Sequence, residues 1–278
     1  MSPLRVGALT LFAMLAFAGN SLLCRVALRD TAIDAASFTT IRLASGALVL
    51  AAIMLARRSR PTAAGSWAMA AMLFAYAGFF SFAYRQLTAA TGALLLFGAV
   101  QTSMLGYALA SGERLRAWQA VGLVVAVGGL VYMLLPGLEA PPITSAVFMM
   151  LAGTSWTVYS VLGRRAGDAV AATAGNFVRS VPFAVMLSLA TLTDARIDPA
   201  GVTYAVLSGA ITSGLGYVLW YAALPALSAT SAATVQLSVP AIAALGGALL
   251  LAETPSGRLL IASLAILGGI ALTISRRK

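Results

Sequence analysis

The chain alternates between long apolar blocks and short polar breaks. Ten blocks are each about 17 to 25 residues long, the length that an α-helix needs to cross a bilayer. Because the connections between them are short, we predict an all-α polytopic membrane protein with ten transmembrane helices and no extramembrane domain. The predicted helices span residues 5–24, 35–56, 66–86, 89–110, 116–135, 144–163, 171–193, 201–223, 227–251 and 257–275.

The first block also resembles a secretory signal. Arg5 precedes its apolar run, and the triplet Ala16, Phe17, Ala18 resembles a cleavage site. Cleavage would leave nine spans and would disrupt the internal duplication described next. We therefore interpret this block as a membrane helix.

The sequence resembles itself at an offset of 140 residues, which lays Ala229–Glu253 on Ala89–Glu113. Self-similarity at a fixed offset predicts a duplication, and the proline-bearing stretch from Pro136 to Pro142 lies where the duplication would divide the chain. Each half then has five helices. Because that number is odd, the second half must enter the membrane from the opposite side, which gives inverted repeats as in many transporters. The two predicted repeats are residues 1–138 and 139–278.

The ninth block carries a proline, Pro240, in its middle. A proline inside a helix removes one backbone hydrogen bond, and within a bilayer the freed carbonyl needs a partner in protein or in a watery cavity. We therefore predict a kinked helix beside a pathway, with Pro240 as its hinge. Thr230, Thr234 and Ser238 share one face of this helix, whereas Gln236 points about 120° away from Thr230. The sequence leaves open which face lines the cavity.

Aromatic and polar side chains recur at helical spacing on several predicted helices. The third block carries such an aromatic stripe, and the 140-residue offset places Trp220 of the eighth block on Phe80 of the third. A stripe of this kind is also typical of a packing core, and an amide such as Asn20 can either line a cavity or only join two helices. Matched aromatic positions on related helices favour a shared central site. The predicted substrate-binding residues are Asn20, Tyr76, Phe80, Tyr84, Gln101, Trp156, Tyr159, Trp220, Tyr221, Gln236 and Ser238.

Two arginines, Arg42 and Arg179, lie within predicted helices. Arg42 is about two turns from the start of its helix, and Arg179 lies about as far into the seventh. A long cationic side chain near a helix end can extend to the membrane interface. We favour this interpretation for both arginines over contact with a substrate.

Composition supports the membrane class and bears on orientation. Hydrophobic residues make up 60% of the chain, charged residues 9%, and the mean hydropathy is +0.94. The formal net charge is +10. Basic residues that flank membrane helices usually record topology, so we expect no nucleic-acid partner. With the N-terminus in the cytoplasm, eleven basic residues fall inside and five outside. This bias predicts that both termini are cytoplasmic.

Several kinds of chemistry lack the residues that they need. The chain has no histidine and one cysteine, and none of its eight acidic residues lies in the middle of a predicted span. We therefore expect no enzyme activity, no metal and no cofactor. Proton-driven transporters usually carry an intramembrane Asp, Glu or His, so the sequence favours facilitated movement over proton coupling.

Ten helices in two halves, each with a glutamate closing its fourth helix, resemble the EamA branch of the drug/metabolite transporter superfamily. The resemblance covers essentially the whole chain. It includes the terminal Glu253, the mid-helix proline, the glycine-bearing final helices and a second-helix arginine, which Arg42 and Arg179 match. Val100 departs from the pattern, since it stands where the first half would carry a proline matching Pro240.

The resemblance implies a metabolite exporter of a bacterial inner membrane, most like the aromatic amino acid exporters. Its expected partners are a small-molecule substrate, namely amino acids, and the lipid bilayer. A monomer is possible, and the sequence leaves the oligomeric state open. Alternatives of the same fold are an exporter of another metabolite or drug, or a lipid flippase. A non-transporting structural membrane protein is the alternative from a different class.

Overall fold

The computed structural model describes residues 1–112, 116–137, 139–163, 167–227 and 229–274. Glu113, the repeat boundary at residue 138 and the side chain of Thr230 lie outside this description. So do six of the eleven basic residues counted on the cytoplasmic side: Arg114, Arg164, Arg165, Arg276, Arg277 and Lys278.

The predicted all-α membrane fold is confirmed. The described residues contain no strand, and nine of their helices are long and apolar enough to cross a bilayer. The ninth predicted span is broken into two shorter helices. The helices are α1 (Pro3–Asp30), α2 (Ala35–Ala56), α3 (Trp67–Tyr84), α4 (Ala89–Ala110), α5 (Ala117–Leu134), α6 (Ile143–Gly163), α7 (Ala169–Ala190), α8 (Pro199–Ala226), α9a (Ala229–Gln236), α9b (Ser238–Leu250) and α10 (Gly257–Ile274).

Side-chain caps start many of the helices. The Asp34 carboxylate accepts hydrogen bonds at 2.9 Å from the backbone N–H groups of Ala36 and Ser37, which have no partner inside α2. Burial opposes ionisation of this carboxyl, but hydrogen bonds from Ser37, Arg196 and Ala36 hold its pKa below the ordinary value. The cap is therefore ionised at neutral pH, and its contribution to stability is lost as the pH falls through this lowered pKa. Similar caps precede α4, α7 and α8 at Thr88, Asp168 and Asp198.

Two helices are longer than the sequence predicts. α1 continues to Asp30 because side chains in its last turns bond to the segment that follows α9b: Arg25 donates to Glu253 at 2.8 Å, and Arg29 donates to the Leu251 carbonyl at 3.1 Å. α8 runs over 28 residues and contains a π-helical segment, Leu207–Leu215. Long π segments are rare and often occur at functional sites.

The ninth helix breaks at Leu237, three residues before Pro240. Pro240 has no N–H to donate to the Gln236 carbonyl, and its ring would clash with that carbonyl in a continuous helix. The Leu237 N–H instead bonds to the Thr234 carbonyl at 3.1 Å, three residues back. Pro240 therefore lies in the first turn of α9b, where a proline is tolerated. Its role as a hinge stays a prediction.

The contacts between helices follow a pattern that repeats in the two halves of the chain. Each of the following contacts has a counterpart between the helices that lie five positions earlier or later in the sequence. α1 packs on α8 and α9b, and correspondingly α6 packs on α3 and α4. α2 packs on α8, and α7 packs on α3, while α2 with α7, α4 with α9b and α5 with α10 form pairs. Moreover, α1, α4 and α5 begin 140 residues before α6, α9a and α10. Two related halves would produce this pattern, and the division into inverted repeats stays a prediction.

Glycines permit the closest helix approaches. In the α5–α10 pair, a Cβ on Gly122 would lie 2.5 Å from the carbonyl oxygen of Gly269. Where α2 crosses α8, a Cβ on Gly209 would meet the carbonyl oxygen of Arg42. Small residues at these crossings let backbones touch, which is how membrane helices commonly associate.

Candidate functional site

A cavity of about 460 Å³ lies between α1, α3, α4, α6, α7, α8 and α9a. Most of its lining is apolar or aromatic, with a few polar groups, which is typical of sites for small molecules. Nine of the eleven predicted binding residues line it: Asn20, Tyr76, Phe80, Gln101, Trp156, Tyr159, Trp220, Tyr221 and Gln236.

Trp156 of α6 lies at the centre of the aromatic lining. Its ring centroid is 4.9 Å from that of Tyr76, 5.2 Å from Tyr217 and 5.4 Å from Tyr159, all with tilted rings. Phe17 continues the cluster on the other side, since its ring is 5.9 Å from Tyr217 in an edge-on arrangement. Rings at these separations stabilise one another, so they form one continuous aromatic wall.

Two predicted residues lie elsewhere. Tyr84 is fully buried, packs on Phe80 with ring centroids 4.7 Å apart, and donates to the Ala89 carbonyl at 3.3 Å. It belongs to the packed end of the bundle described below. The Ser238 hydroxyl donates to the Val235 carbonyl at 2.7 Å, across the break in the ninth helix. On that helix Gln236 lines the cavity, whereas Thr234 and Ser238 are not part of the described lining.

Phe17, Tyr217 and Thr212 line the cavity but were not among the predicted residues. Phe17 lies three residues before Asn20 on α1, so the spacing along one helix face could have identified it. Tyr217 belongs to the aromatic stripe of α8 and could have been found in the same way. Thr212 lies in the π segment, where an α-helical wheel assigns faces incorrectly.

Asn20 forms a polar end of the cavity. Its side-chain nitrogen donates to the Tyr76 hydroxyl at 3.4 Å, and its oxygen accepts from Ser208 at 2.7 Å and from Thr212 at 3.4 Å. The two roles considered for this amide therefore coexist, because Asn20 joins α1 to α3 and α8 and also lines the cavity.

The Arg42 side chain lies inside the bundle, so the prediction that it extends to the membrane interface is wrong. It is 1% exposed and lies directly behind this polar end. Its Nη2 donates to the Tyr76 hydroxyl at 3.4 Å and its Nε to the Ser213 hydroxyl at 3.3 Å. The guanidinium carbon is 4.9 Å from the centre of the Phe80 ring and 5.4 Å from that of Tyr76. The α2–α8 crossing encloses the side chain, and the π segment of α8 supplies Ser213.

Arg179 differs from Arg42. It donates to the carbonyls of Ala64 at 2.8 Å, Gly175 at 3.1 Å and Thr62 at 3.1 Å. Its guanidinium thus reaches the connection between α2 and α3, which agrees with the predicted interfacial position. Asn176, also on α7, accepts from the Ser66 N–H of this connection at 2.9 Å.

A buried ion pair holds the bundle together beyond the polar end of the cavity. Glu253, just after α9b, accepts from Arg25 of α1 at 2.8 Å and from the Ala89 N–H at the start of α4 at 2.8 Å. Around it, residues 89–100 of α4 are all buried, whereas residues 101–110 are more exposed. The cavity lining extends in the opposite direction, to Gly163 and Ala169. The cavity is therefore closed off at the Glu253 end and extends towards the other.

The sequence pattern of the EamA-like transporter family matches residues 143–275. The chain is 57% identical over 270 residues to an uncharacterised protein of Pseudomonas aeruginosa, which covers 97% of this chain and 94% of that protein. The chain belongs to the EamA-like transporter family. It is a multi-pass membrane transporter of the drug/metabolite transporter superfamily, as the resemblance of the sequence implied.

Two further relatives of this EamA-type transporter are themselves described as transporters. It is 33% identical to the threonine/homoserine exporter RhtA of Salmonella typhimurium over 168 residues, 56% of this chain and 55% of RhtA. It is 25% identical over 281 residues, 95% of each chain, to an uncharacterised transporter of Archaeoglobus fulgidus. A protein of known crystal structure has the same fold, with a TM-score of 0.67 and 21% identity over 96% of this chain and 97% of its own.

Within the part of the chain that the structure describes, no three His, Cys, Asp or Glu side chains cluster as metal ligands would. The described lining of the cavity also contains no acidic side chain. The polar groups that face the cavity are amides and hydroxyls, which hold a ligand by hydrogen bonds.

Proposed function

We propose that this transporter exports aromatic and other apolar amino acids across a bacterial inner membrane, with both termini in the cytoplasm. The observation that carries the proposal is the cavity, in which contiguous aromatic rings meet a polar end at Asn20. Its volume of about 460 Å³ is in the range of small-molecule sites. RhtA, which is similar to part of the chain, is a threonine/homoserine exporter, and this similarity supports an amino acid as the substrate.

Alternating access is the proposed mechanism. The described conformation is closed at the Glu253 end and has its cavity extending towards Gly163 and Ala169. If the halves are inverted repeats, rocking one against the other exchanges the closed end and the open end around a fixed site. The break at Leu237 and Pro240 lies at this site, where α9a and α9b can change their relative angle. The proposed hinge therefore lies where bending of the ninth helix can contribute to this exchange.

We expect the purified protein to move amino acids without an imposed proton gradient. The described lining contains no acidic side chain, and proton-coupled carriers usually use an intramembrane Asp, Glu or His to carry the proton. Liposomes that contain the protein should take up tryptophan down its concentration gradient at the same rate with and without a protonophore. Protein-free liposomes are the control. Uptake against a gradient that collapses on adding the protonophore would contradict facilitated movement.

The aromatic wall should select among amino acids. Trp156→Ala removes the central ring, and a buried aromatic contact is worth about 0.5 to 1.5 kcal/mol beyond its area. We expect the variant to lower tryptophan uptake by roughly tenfold and alanine uptake much less, in competition assays with liposomes. Trp67→Ala is the matched control, because Trp67 is 58% exposed and is not in the cavity lining. If Trp156→Ala lowers uptake of all amino acids equally, the ring serves the fold and not substrate selection.

A further inference from the structure

We propose that Arg42 is the anion-recognition residue of the cavity: the substrate's carboxylate binds at the polar end, accepts a hydrogen bond from Tyr76 and is held by the positive charge of Arg42. The inference rests on the proposed function and adds a requirement to it. A molecule must carry an anionic group to be recognised, whether or not it also carries an ammonium group.

The first argument is the uncompensated charge of Arg42. A guanidinium remains protonated at any accessible pH, and a buried charge is normally paired with an opposite one. Among the described residues no acidic side chain forms an ion pair with Arg42, since all three ion pairs found there involve Arg25 or Arg29. The Nη1 of Arg42 is buried and has no hydrogen-bond partner in that part of the chain. The protein therefore supplies a fixed cation and leaves its counter-charge to be supplied from outside.

The second argument is the hydroxyl of Tyr76. This oxygen accepts two hydrogen bonds, one from Asn20 and one from Arg42, each at 3.4 Å. An oxygen that accepts from two donors still has its own proton to give. Tyr76 lines the cavity, so this proton is available to an acceptor there. A carboxylate at this position would receive a hydrogen bond from a donor that Arg42 polarises.

The third argument is that the surrounding rings stabilise the guanidinium without neutralising it. Phe80 and Tyr76 lie within 4.9 and 5.4 Å of its carbon, where the negative face of an aromatic ring attracts a cation. Both rings line the cavity, and they separate Arg42 from it by a single layer of side chains. In a water-poor interior, a charge acts strongly across such a layer. An anion at the polar end is therefore attracted, and a cation at the same place is repelled.

Arg179 shows what an arginine with a purely structural role looks like in this fold. Three backbone carbonyls from α7 and the α2–α3 connection accept hydrogen bonds from its guanidinium. Arg42 has no carbonyl partner of this kind among the described residues, and its two hydrogen bonds go to hydroxyls. If an aromatic amino acid binds with its carboxylate at the polar end, its aromatic ring would lie against Trp156 and Tyr159. A single orientation of the substrate would then contact both the polar end and the aromatic wall.

The test compares four indole ligands with the purified full chain by isothermal titration calorimetry. Tryptophan and indole-3-propionate carry a carboxylate, whereas tryptamine and tryptophan methyl ester do not. We expect the first two to bind about 10- to 100-fold more tightly than the last two, the range for hydrogen bonds to charged groups. Tryptamine or the ester binding as tightly as tryptophan would overturn the proposal, and this comparison needs no variant.

Three variants assign the effect to Arg42. In Arg42→Met the preference for carboxylates should disappear, whereas Arg42→Lys should retain most of it because the charge remains. Tyr76→Phe should weaken the two carboxylate ligands and leave the other two unchanged. Arg179→Met is the control and should leave the preference intact. Equal weakening of all four ligands in Arg42→Met, with Arg42→Lys and Tyr76→Phe like the wild type, would show that Arg42 only supports the fold.

Two further experiments distinguish this proposal from the proposed function and from binding of a lipid headgroup. If indole-3-propionate binds in an Arg42-dependent way but liposomes transport no amino acid, the anion site stands and the proposed function fails. A lipid phosphate could offer similar chemistry, so binding is repeated in nanodiscs of phosphatidylcholine with and without phosphatidylglycerol. Loss of tryptophan binding only with phosphatidylglycerol would identify a lipid headgroup as the occupant and overturn the proposal. Equal binding in both supports it.

Discussion

Glu253→Ala should destabilise the transporter by about 3 to 5 kcal/mol, the cost of breaking a buried ion pair by removing one partner. The side chains of Arg25 and Glu253 are only 11% and 8% exposed, so the variant leaves a nearly buried cation at the closed end. It also removes the acceptor of the Ala89 N–H at the start of α4. Thermal unfolding of the purified protein should show the loss, and hydrogen exchange at the start of α4 should rise.

Glu139→Ala is the matched control for this experiment. Glu139 accepts a hydrogen bond from the Arg258 N–H at 3.0 Å, but the pair is exposed, so its removal should change stability little. A double variant, Arg25→Met with Glu253→Met, should recover much of the loss, since apolar residues often replace a buried ion pair without cost. If Glu253→Ala unfolds at the same temperature as Glu139→Ala, the ion pair does not hold the closed end together.

Gly209→Ala should be one of the most damaging additions of a single methyl group to the bundle. The new Cβ would meet the carbonyl oxygen of Arg42, and neither backbone can yield without separating α2 from α8. Overpacking of this kind typically costs about 1 to 3 kcal/mol and occasionally more. Because Arg42 lies at the same crossing, we expect ligand affinity to fall together with the melting temperature.

Gly78→Ala is the control for the new methyl group. Gly78 is also buried and helical, but a Cβ there has no neighbour within 4 Å, so the change should be neutral or slightly stabilising. Melting temperature and tryptophan affinity are measured for both variants. A Gly209→Ala protein as stable as Gly78→Ala would mean that α2 and α8 are not in backbone contact at this crossing.

The sequence predicts the fold well because membrane spans depend on length and hydropathy, which are local properties. α2 and α4 lie where the apolar blocks place them, over 35–56 and 89–110. The ends of α1 were less predictable, because the helix continues through Arg25 and Arg29. A longer helix can include these two charged residues because Glu253 pairs with them, and Glu253 lies more than 220 residues further along the chain.

The candidate site was predictable where one helix face carries the signal. Trp156 and Tyr159 lie three residues apart on α6, and both line the cavity. Arg42 was not predictable, because its burial depends on Ser213 in the π segment of α8, and a hydropathy pattern does not distinguish a π-helix from an α-helix. The break at Leu237 was similarly displaced from Pro240, since a proline disrupts the turn that precedes it.

The buried position of Arg42 also has a consequence for the biosynthesis of the chain. Its partner Ser213 is 171 residues further along, so at about 5 to 20 residues per second it is made roughly 10 to 35 s later. During that interval α2 is in the membrane with an arginine whose enclosing helix does not yet exist. An arginine at a helix centre costs about 2.5 to 3.5 kcal/mol on insertion, which is an upper bound for Arg42, two turns from the start of α2. The nascent helix can lower this cost by extending the side chain to the interface, the position that the sequence predicted. Arg42 reaches its final place only when α8 has been synthesised and has packed against α2.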